Sequence, residues 1–360
     1  MEIAITADVH LFPGEKPERL NALRNIFEQV EVEGIDVLII AGDLFDEDVQ
    51  DFKDFESLCH DHPKVQVKII AGNHDPALSH DRITAGNVKV HDSVELVEIG
   101  DTPFLFVPYS AGKNMGEQIA GKKSELEEVS GKWVLVSHGD FIGGVTEREP
   151  YEKGIYMPLY RKDLDIFRPL AAFLGHIHLP DDLPESVRGK VVYPGSPCGL
   201  EISETGRRRF LVYETADGSL ESRDIKTDVL FFRESFLVIP GGDEVSRLQQ
   251  EITGRIEDWQ LKPSEDEKVQ VRVEATGYAY NRREIAEALE SGFSDFKIEN
   301  EVEDQTAGVL HADKDEARTK VATETLKAIE GLGWNFADEI EPNLDEVKEE
   351  ALHVIYQVGK

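Results

Sequence analysis

The feature that most constrains this chain is a device repeated five times: a short apolar run that stops on polar residues able to bind a metal ion. Residues 3–6 (IAIT) lead into Asp8-Val9-His10, and 37–41 (VLIIA) into Gly42-Asp43. Residues 67–70 (VKII) lead into Asn73-His74-Asp75, 133–136 (WVLV) into Ser137-His138-Gly139-Asp140, and 171–174 (AAFL) into Gly175-His176-Ile177-His178. Short runs rich in branched residues read as strands buried on both faces. Between the early runs lie helical patterns. In 18–34, Leu20, Leu23, Ile26, Phe27 and Val30 recur at helical spacing and Gly34 supplies a stop. Strands alternating with helices predict a layered α/β fold. Ligands bind beyond the carboxyl ends of strands in such folds, so the five polar clusters are expected on one rim.

Asp8, His10, Asp43, Asn73, His138, His176 and His178 make a donor list of two carboxylates, one amide oxygen and four imidazoles. Nitrogen and oxygen donors without thiolate favour Mn²⁺, Fe²⁺ or Zn²⁺ over Ca²⁺ or an iron–sulfur cluster. Seven donors exceed what one catalytic ion with an open position takes. They suit two ions with a bridging carboxylate, a pair that activates a shared water and neutralises phosphoester oxygens. His74 is left over as a proton donor or electrostatic stabiliser, and Asp75 as an orienting partner or turn cap for its loop. His60, His62, His80, His91, His311 and His353 lack this strand-end context and read as structural or surface residues.

The motifs DVH, GDLFD, GNHD, SHGD and GHIH, in that order, resemble those of the calcineurin-like metallophosphoesterase superfamily. The resemblance implies mixed sheets flanked by helices and two divalent ions, Mn²⁺ first, with Fe²⁺, Zn²⁺ or Mg²⁺ as alternatives. Asp8, His10, Asp43 and His178 would hold one ion, and Asp43, Asn73, His138 and His176 the other. His74 would be the catalytic histidine that binds no metal. The stretch after GHIH, through YPGSP, resembles the SbcD-like nucleases of double-strand-break repair. That branch implies a nuclease domain over 1–230, a small α/β capping domain over 231–303, and a linker with a C-terminal helical pair over 304–360. It implies hydrolysis of DNA phosphodiester bonds, with DNA, a second copy of the chain and an SMC-like coiled-coil ATPase of the SbcC type as partners. Two readings stay open for the terminal helices: docking on that ATPase, or packing on their own chain. An acidic EDVQ follows GDLFD where repair nucleases often carry a DNA-facing His or Arg, and Phe12 replaces the usual Gly after DxHL. The alternative substrate is a nucleotide or other small phosphoester.

Within the tail, residues 231–240 and 268–277 read as strands, 243–259 and 281–291 as helices, 295–302 as a strand and 303–315 as a polar linker. GGDEV at 241–245 opens a helix with Asp243 as its cap. No GxxxxGK[ST] loop is present, so ATP-driven steps would belong to another polypeptide, and no GxSxG supports serine-hydrolase chemistry.

Length and charge bound the rest. With 360 residues and 40% hydrophobic content, the chain can build two cores. The formal net charge is −33, and residues 231–360 hold 15 basic against 30 acidic side chains, about half of the excess. A solvated acidic surface, such as adaptation to high salt would produce, accounts for it most simply, and it repels polyanions at long range. A nucleic-acid substrate would need local cations, with Arg207-Arg208-Arg209, Arg161-Lys162 and Lys122-Lys123 as candidates. No run reaches transmembrane length, no signal peptide is read at the N-terminus, and two cysteines suit a reducing compartment, so the expected location is cytoplasmic.

Overall fold

The computed structural model describes residues 1–12, 14–46, 51–129, 132–143, 154–181, 190–332 and 344–357, the side chains of 302 and 345 excepted. The acidic stretch 47–50 and most of the loop after GHIH (182–189) lie outside the described residues. The chain divides into two compact units, one of Met1–Leu200 with Arg207–Val229 and one of Glu201–Gly206 with Leu230–Lys360.

The first unit is layered α/β. Its strands are β1 (Glu2–Thr6), β2 (Val37–Ala41), β3 (Gln66–Ile70), β4 (Val88–His91), β5 (Glu95–Ile99), β6 (Thr102–Val107), β7 (Val134–His138), β8 (Phe141–Ile142), β9 (Leu159–Tyr160), β10 (Ala171–Gly175), β11 (Val191–Val192), β12 (Arg209–Glu214) and β13 (Leu220–Asp224). Its helices are α1 (Pro17–Glu33), α2 (Lys53–Asp61), α3 (Met115–Ala120), α4 (Lys123–Glu128) and α5 (Arg161–Phe167). One sheet runs β13-β12-β1-β2-β3-β4, parallel from β1 to β4 with the β12–β13 hairpin antiparallel beside β1. The other runs β11-β10-β7-β6-β5, parallel except for the β5–β6 hairpin.

Side-chain alternation explains why the two sheets pair. Ile3 and Ile5 of β1, Val37 and Ile39 of β2, and Leu211 and Tyr213 of β12 share one core with Phe104, Phe106, Val134, Val136 and Phe173 of the opposite sheet. Leu105, Leu135, Ala172 and Leu174 turn the other way, onto Met115 and Ile119 of α3, Leu126 of α4, and Trp133. Strands covered on both faces must be apolar at nearly every position, which is why they read as unbroken apolar runs. Between β1 and β2, α1 ends at Gly34 in the left-handed region (φ 74°), where its N–H caps the carbonyls of Val30 and Glu31. Burial holds the His91 imidazole down at about 4, and its ring stacks on Phe106 with centroids 4.0 Å apart. Cys59 and Cys198 are buried thiols.

The second unit is a separate small sheet with helices. Its strands are β14 (Leu230–Val238), β15 (Val269–Ala279), β16 (Lys297–Ile298) and β17 (Gly308–His311), and its helices α6 (Glu244–Asp258), α7 (Arg282–Gly292), α8 (Val302–Gln305), α9 (Glu316–Glu330) and α10 (Leu344–Gln357). β15 is central, pairing in parallel with β14, β16 and β17. Two expectations need correction. The strand read at 295–302 is only the two residues of β16, and the segment read as a polar linker contains α8 and β17. Its only large apolar side chains are Val309 and Leu310, too few to show a period, yet pairing with β15 supplies the backbone bonds. The two terminal helices pack on their own unit: Ala322 and Leu326 of α9 and Leu352 and Tyr356 of α10 share a cluster with Tyr278 of β15. Tyr278 and Tyr356 stack at 4.9 Å. No helix among the described residues is long and apolar enough to cross a membrane.

Phe173 is fully buried between the sheets. Phe173→Ala should cost about 3–5 kcal/mol, the usual price of an emptied aromatic site, read as a lowered denaturant midpoint with an unchanged slope.

Candidate metal centre

Ligand-bearing loops leave the carboxyl ends of β1, β2, β3, β7 and β10, three strands of one sheet and two of the other, and meet at one rim of the sandwich. Backbone bonds tie them: Asp8 N–H to Gly42 O (3.1 Å), His10 N–H to Asp43 O (3.0 Å), and Gly139 N–H to Gly175 O (3.1 Å). The Asp8 carboxylate accepts from the His176 amide (2.9 Å), and Asp43 accepts from the His74 amide (2.9 Å). Four of the seven expected ligands have left-handed backbone without being glycine: Asp8 (φ 53°), His10 (φ 49°), Asp43 (φ 48°) and His176 (φ 104°). Each such residue costs about 1–3 kcal/mol and persists only where its surroundings over-determine it.

The donors form two neighbouring groups. Ligand atoms of Asp8, His10 and His178 lie within 4.8 Å of one another, as do those of Asp8, Asp43 and His138. His10 Nε2 is 3.2 Å from His178 Nε2 and 3.7 Å from Asp43 Oδ2. His138 Nε2 is 2.7 Å from Asn73 Oδ1 and 3.3 Å from Asp43 Oδ2, and His176 Nδ1 is 3.1 Å from the same Asn73 oxygen. All seven expected ligands are therefore gathered, with Asp43 central. A metal pair fits them on an independent ground: Asp8 Oδ2 is buried with no hydrogen-bond partner, and buried Asp43 Oδ2 is faced only by ring nitrogens of His138 and His10, at 3.3 Å and 3.7 Å. A buried anionic oxygen without a donor demands a compensating cation.

Charge within the cluster is strongly perturbed. Burial pushes the Asp8 carboxyl up, against the pull of His138, His178 and His10. Burial also penalises Asp43, but the imidazoles of His138, His10 and His74 outweigh it and hold that carboxyl below the usual range. Burial would lower His138; Asp43 and Asp8 overcome it and raise the imidazole to about 9.

The catalytic candidates sit beside this group. His74 is half-buried, and its ring meets His10 edge-to-face at 4.7 Å. Asp75 is buried and accepts from the amides of Gly72 (2.7 Å) and Phe45 (3.2 Å), so it braces the GNHD loop against the GDLFD loop. Burial and the nearby Asp43 raise its carboxyl to about 7. The motif reading passed over several contributors. Asp46 lies 3.5 Å from His10 Nδ1 and 3.4 Å from His74 Nδ1, and those two imidazoles with Arg19 hold its carboxyl well below the usual range. Asp140 accepts from the Tyr156 amide (2.6 Å) with its other oxygen 3.8 Å from His176 Nε2. Tyr193 donates to Gly139 O (2.9 Å) and accepts from the Phe141 amide (2.8 Å), clamping the SHGD loop from the YPGSP stretch. Arg19 and Arg208 donate to the carbonyls of His10 (2.6 Å) and His178 (2.8 Å). Asp46 and Asp140 close their motifs and were visible in them; Arg208 stood out only as part of a basic run, and nothing local marked Arg19.

Of the candidate basic clusters, 207–209 is partly internal, whereas Arg161, Lys162 and Lys123 are exposed. Arg208 is buried and Arg209 donates to Asp181 O. Arg161 donates to Gly143 O (3.2 Å), Lys162 lies over the Tyr160 ring (5.0 Å), and Lys122 and Lys123 pair with Glu125 and Glu127.

Residues 1–218 match the calcineurin-like phosphoesterase superfamily domain. Among solved structures, an archaeal phosphodiesterase is similar at 16% identity and a TM-score of 0.35, over 62% of this chain and 100% of its own. Wild-type Vps29 from Entamoeba histolytica, complexed with zinc, is similar at 14% identity and a TM-score of 0.32, over 62% of this chain and 98% of its own. No curated protein matches the chain.

Two outcomes test the centre. A Cβ on Gly72 would collide with the Asp43 carboxylate. Gly72→Ala should therefore lower bound metal to less than about half of the parent's without removing a ligand, measured by elemental analysis at unchanged far-UV dichroism. Because metal-free His138 keeps its proton up to about pH 9 and only neutral imidazole ligates, metal uptake at pH 7 should release a proton. Apparent affinity should climb as pH rises towards 9, which calorimetry in buffers of different ionisation enthalpy will report.

Proposed function

The chain belongs to the calcineurin-like phosphoesterase superfamily through residues 1–218, and on that premise we propose that it is a dinuclear-metal phosphodiesterase whose substrate is DNA. The observation that carries the hydrolytic reading is the pair of buried carboxylate oxygens on Asp8 and Asp43, the first without a hydrogen-bond donor and the second faced only by imidazole nitrogens. Asp8, His10, Asp43 and His178 would hold one ion, and Asp43, Asn73, His138 and His176 the other. When bound, such ions neutralise phosphoryl oxygens and lower the pKa of water, with Mn²⁺ our first choice.

The chain's own residues then position and protonate. His74 stands at the edge of the donor group, held at its amide by Asp43 and at its ring by Asp46. It delivers a proton to the leaving oxygen, or meets the charge developing there. Asp75 acts one step back by fixing the GNHD loop, so its role is positional.

The DNA reading draws on the YPGSP stretch after GHIH and on a second α/β unit that carries none of the seven ligands. In that reading the chain works as an exo/endonuclease with a second copy and an SMC-like ATPase in the cytoplasm. The apolar faces of α9 and α10 are already engaged with Tyr278, so an ATPase would meet outward residues such as Val321 and Val354. A second reading, small phosphodiesters, is favoured by the cluster at 207–209: Arg208 is buried and Arg209 bonds Asp181 O. Linear duplex DNA, single-stranded DNA and bis-p-nitrophenyl phosphate, each with Mn²⁺, separate the two. His74→Ala should slow hydrolysis by about 10²–10⁴, the range of a lost general acid, at unchanged metal content. Full activity in that variant would remove His74 from the chemistry. Turnover of the small ester alone would move the substrate to the second reading.

A further inference from the structure

A third group of donors stands beside the two already described. Ligand atoms of His10, Asp46 and His74 lie within 4.8 Å of one another. His10 directs Nε2 towards His178 and Asp43, and its other ring nitrogen, Nδ1, towards Asp46. Asp46 Oδ1 therefore faces two imidazole nitrogens, at 3.5 Å and 3.4 Å. Two imidazoles and a carboxylate form a set that holds Zn²⁺ with water filling the remaining position, and Mn²⁺ accepts the same donors. A cation there would occupy the His74 nitrogen and the carboxylate that orients it, and would displace the Nδ1 proton of His10 to solvent, because Nε2 is the nitrogen turned to the first ion.

Arg19 opposes this. Its Nη1 donates to Asp46 Oδ2 at 2.9 Å and to the His10 carbonyl at 2.6 Å. The side chain is buried, in the first turn of α1, which Pro17 opens. A guanidinium keeps its charge at any working pH and offers only donors. It thus uses up one oxygen of Asp46, fixes the rotation of the other towards the imidazoles, and sets a permanent positive charge where a third metal ion would approach.

We propose that His10, Asp46 and His74 form a latent third cation site and that Arg19 holds it closed, which keeps His74 off the metal. This rests on the dinuclear reading above. The test is equilibrium dialysis of the full chain against excess Zn²⁺ and, separately, Mn²⁺, followed by elemental analysis of the parent, Arg19→Met, Arg19→Gln and the Arg19→Met/Asp46→Asn double variant. The parent should hold two equivalents, each Arg19 single variant three, and the double variant two. Excess metal should also inhibit the single variants by about 10²-fold relative to the parent, the scale of losing a general acid. A variant that is merely loosened loses metal and does not gain it, so a third equivalent separates the guarding role from a structural one. Two or fewer equivalents in both single variants, with the parent at two, overturns the proposal and leaves the dinuclear reading standing. A parent that binds fewer than two overturns that reading, and this proposal with it.

Discussion

Two carboxylates buried side by side govern the rest of this structure. Asp8 and Asp43 are nearly inaccessible, and their oxygens and a His138 nitrogen lie within 4.8 Å of one another. Taking one such anion out of water costs several kcal/mol, and a like-charged neighbour adds to it. The surroundings answer that cost in layers. Imidazoles stand on both sides, amides of His74 and His176 donate inward, and one oxygen on each carboxylate is left for a cation. The strained backbone at Asp8, His10, Asp43 and His176 belongs to the same account, because two packed sheets and their interlocked loops hold those residues in conformations they would not otherwise adopt.

Arginine has an unusual place in so acidic a chain. With a net charge of −33, guanidinium groups would be expected to sit on the surface and balance their neighbours. Arg19 and Arg208 are instead buried, and each donates to the carbonyl of a histidine of the donor group. Cations placed there offset the carboxylates of the centre and stiffen the loops that carry them. They do nothing to attract a polyanion at long range. A nucleic-acid substrate would approach against the outer field and gain its binding energy only close to the ions, so its association would be slow at low salt.

Much of the centre was legible because its signals are local. A strand buried on both faces is an unbroken apolar run, and its end is marked where polarity returns; β1, β2, β3, β7 and β10 all announced themselves this way. The seven donors stood at those ends. Weak or cooperative features were not legible. β17 has two apolar residues and exists because β15 offers it a partner, so it read as linker. Asp46 and Asp140 lay in plain view inside motifs, yet their use depends on which imidazole comes within reach. Arg19 sat in a helix whose apolar stripe said nothing about its charged residues.

By itself, the sequence determined the donor chemistry and the strand ends that carry it, since both follow from residue type and from a periodicity of a few positions. Only the tertiary structure decided that the five loops meet from two different sheets, that Asp43 stands at their centre, and that Arg19 reaches Asp46 and His10 together. It also decided that Arg208, within the basic cluster at 207–209, is buried and that Arg209 donates to Asp181 O. These are relations between residues far apart in the chain. They are set by sheet packing and by the need to compensate buried charge, and neither is written in the local order of side chains.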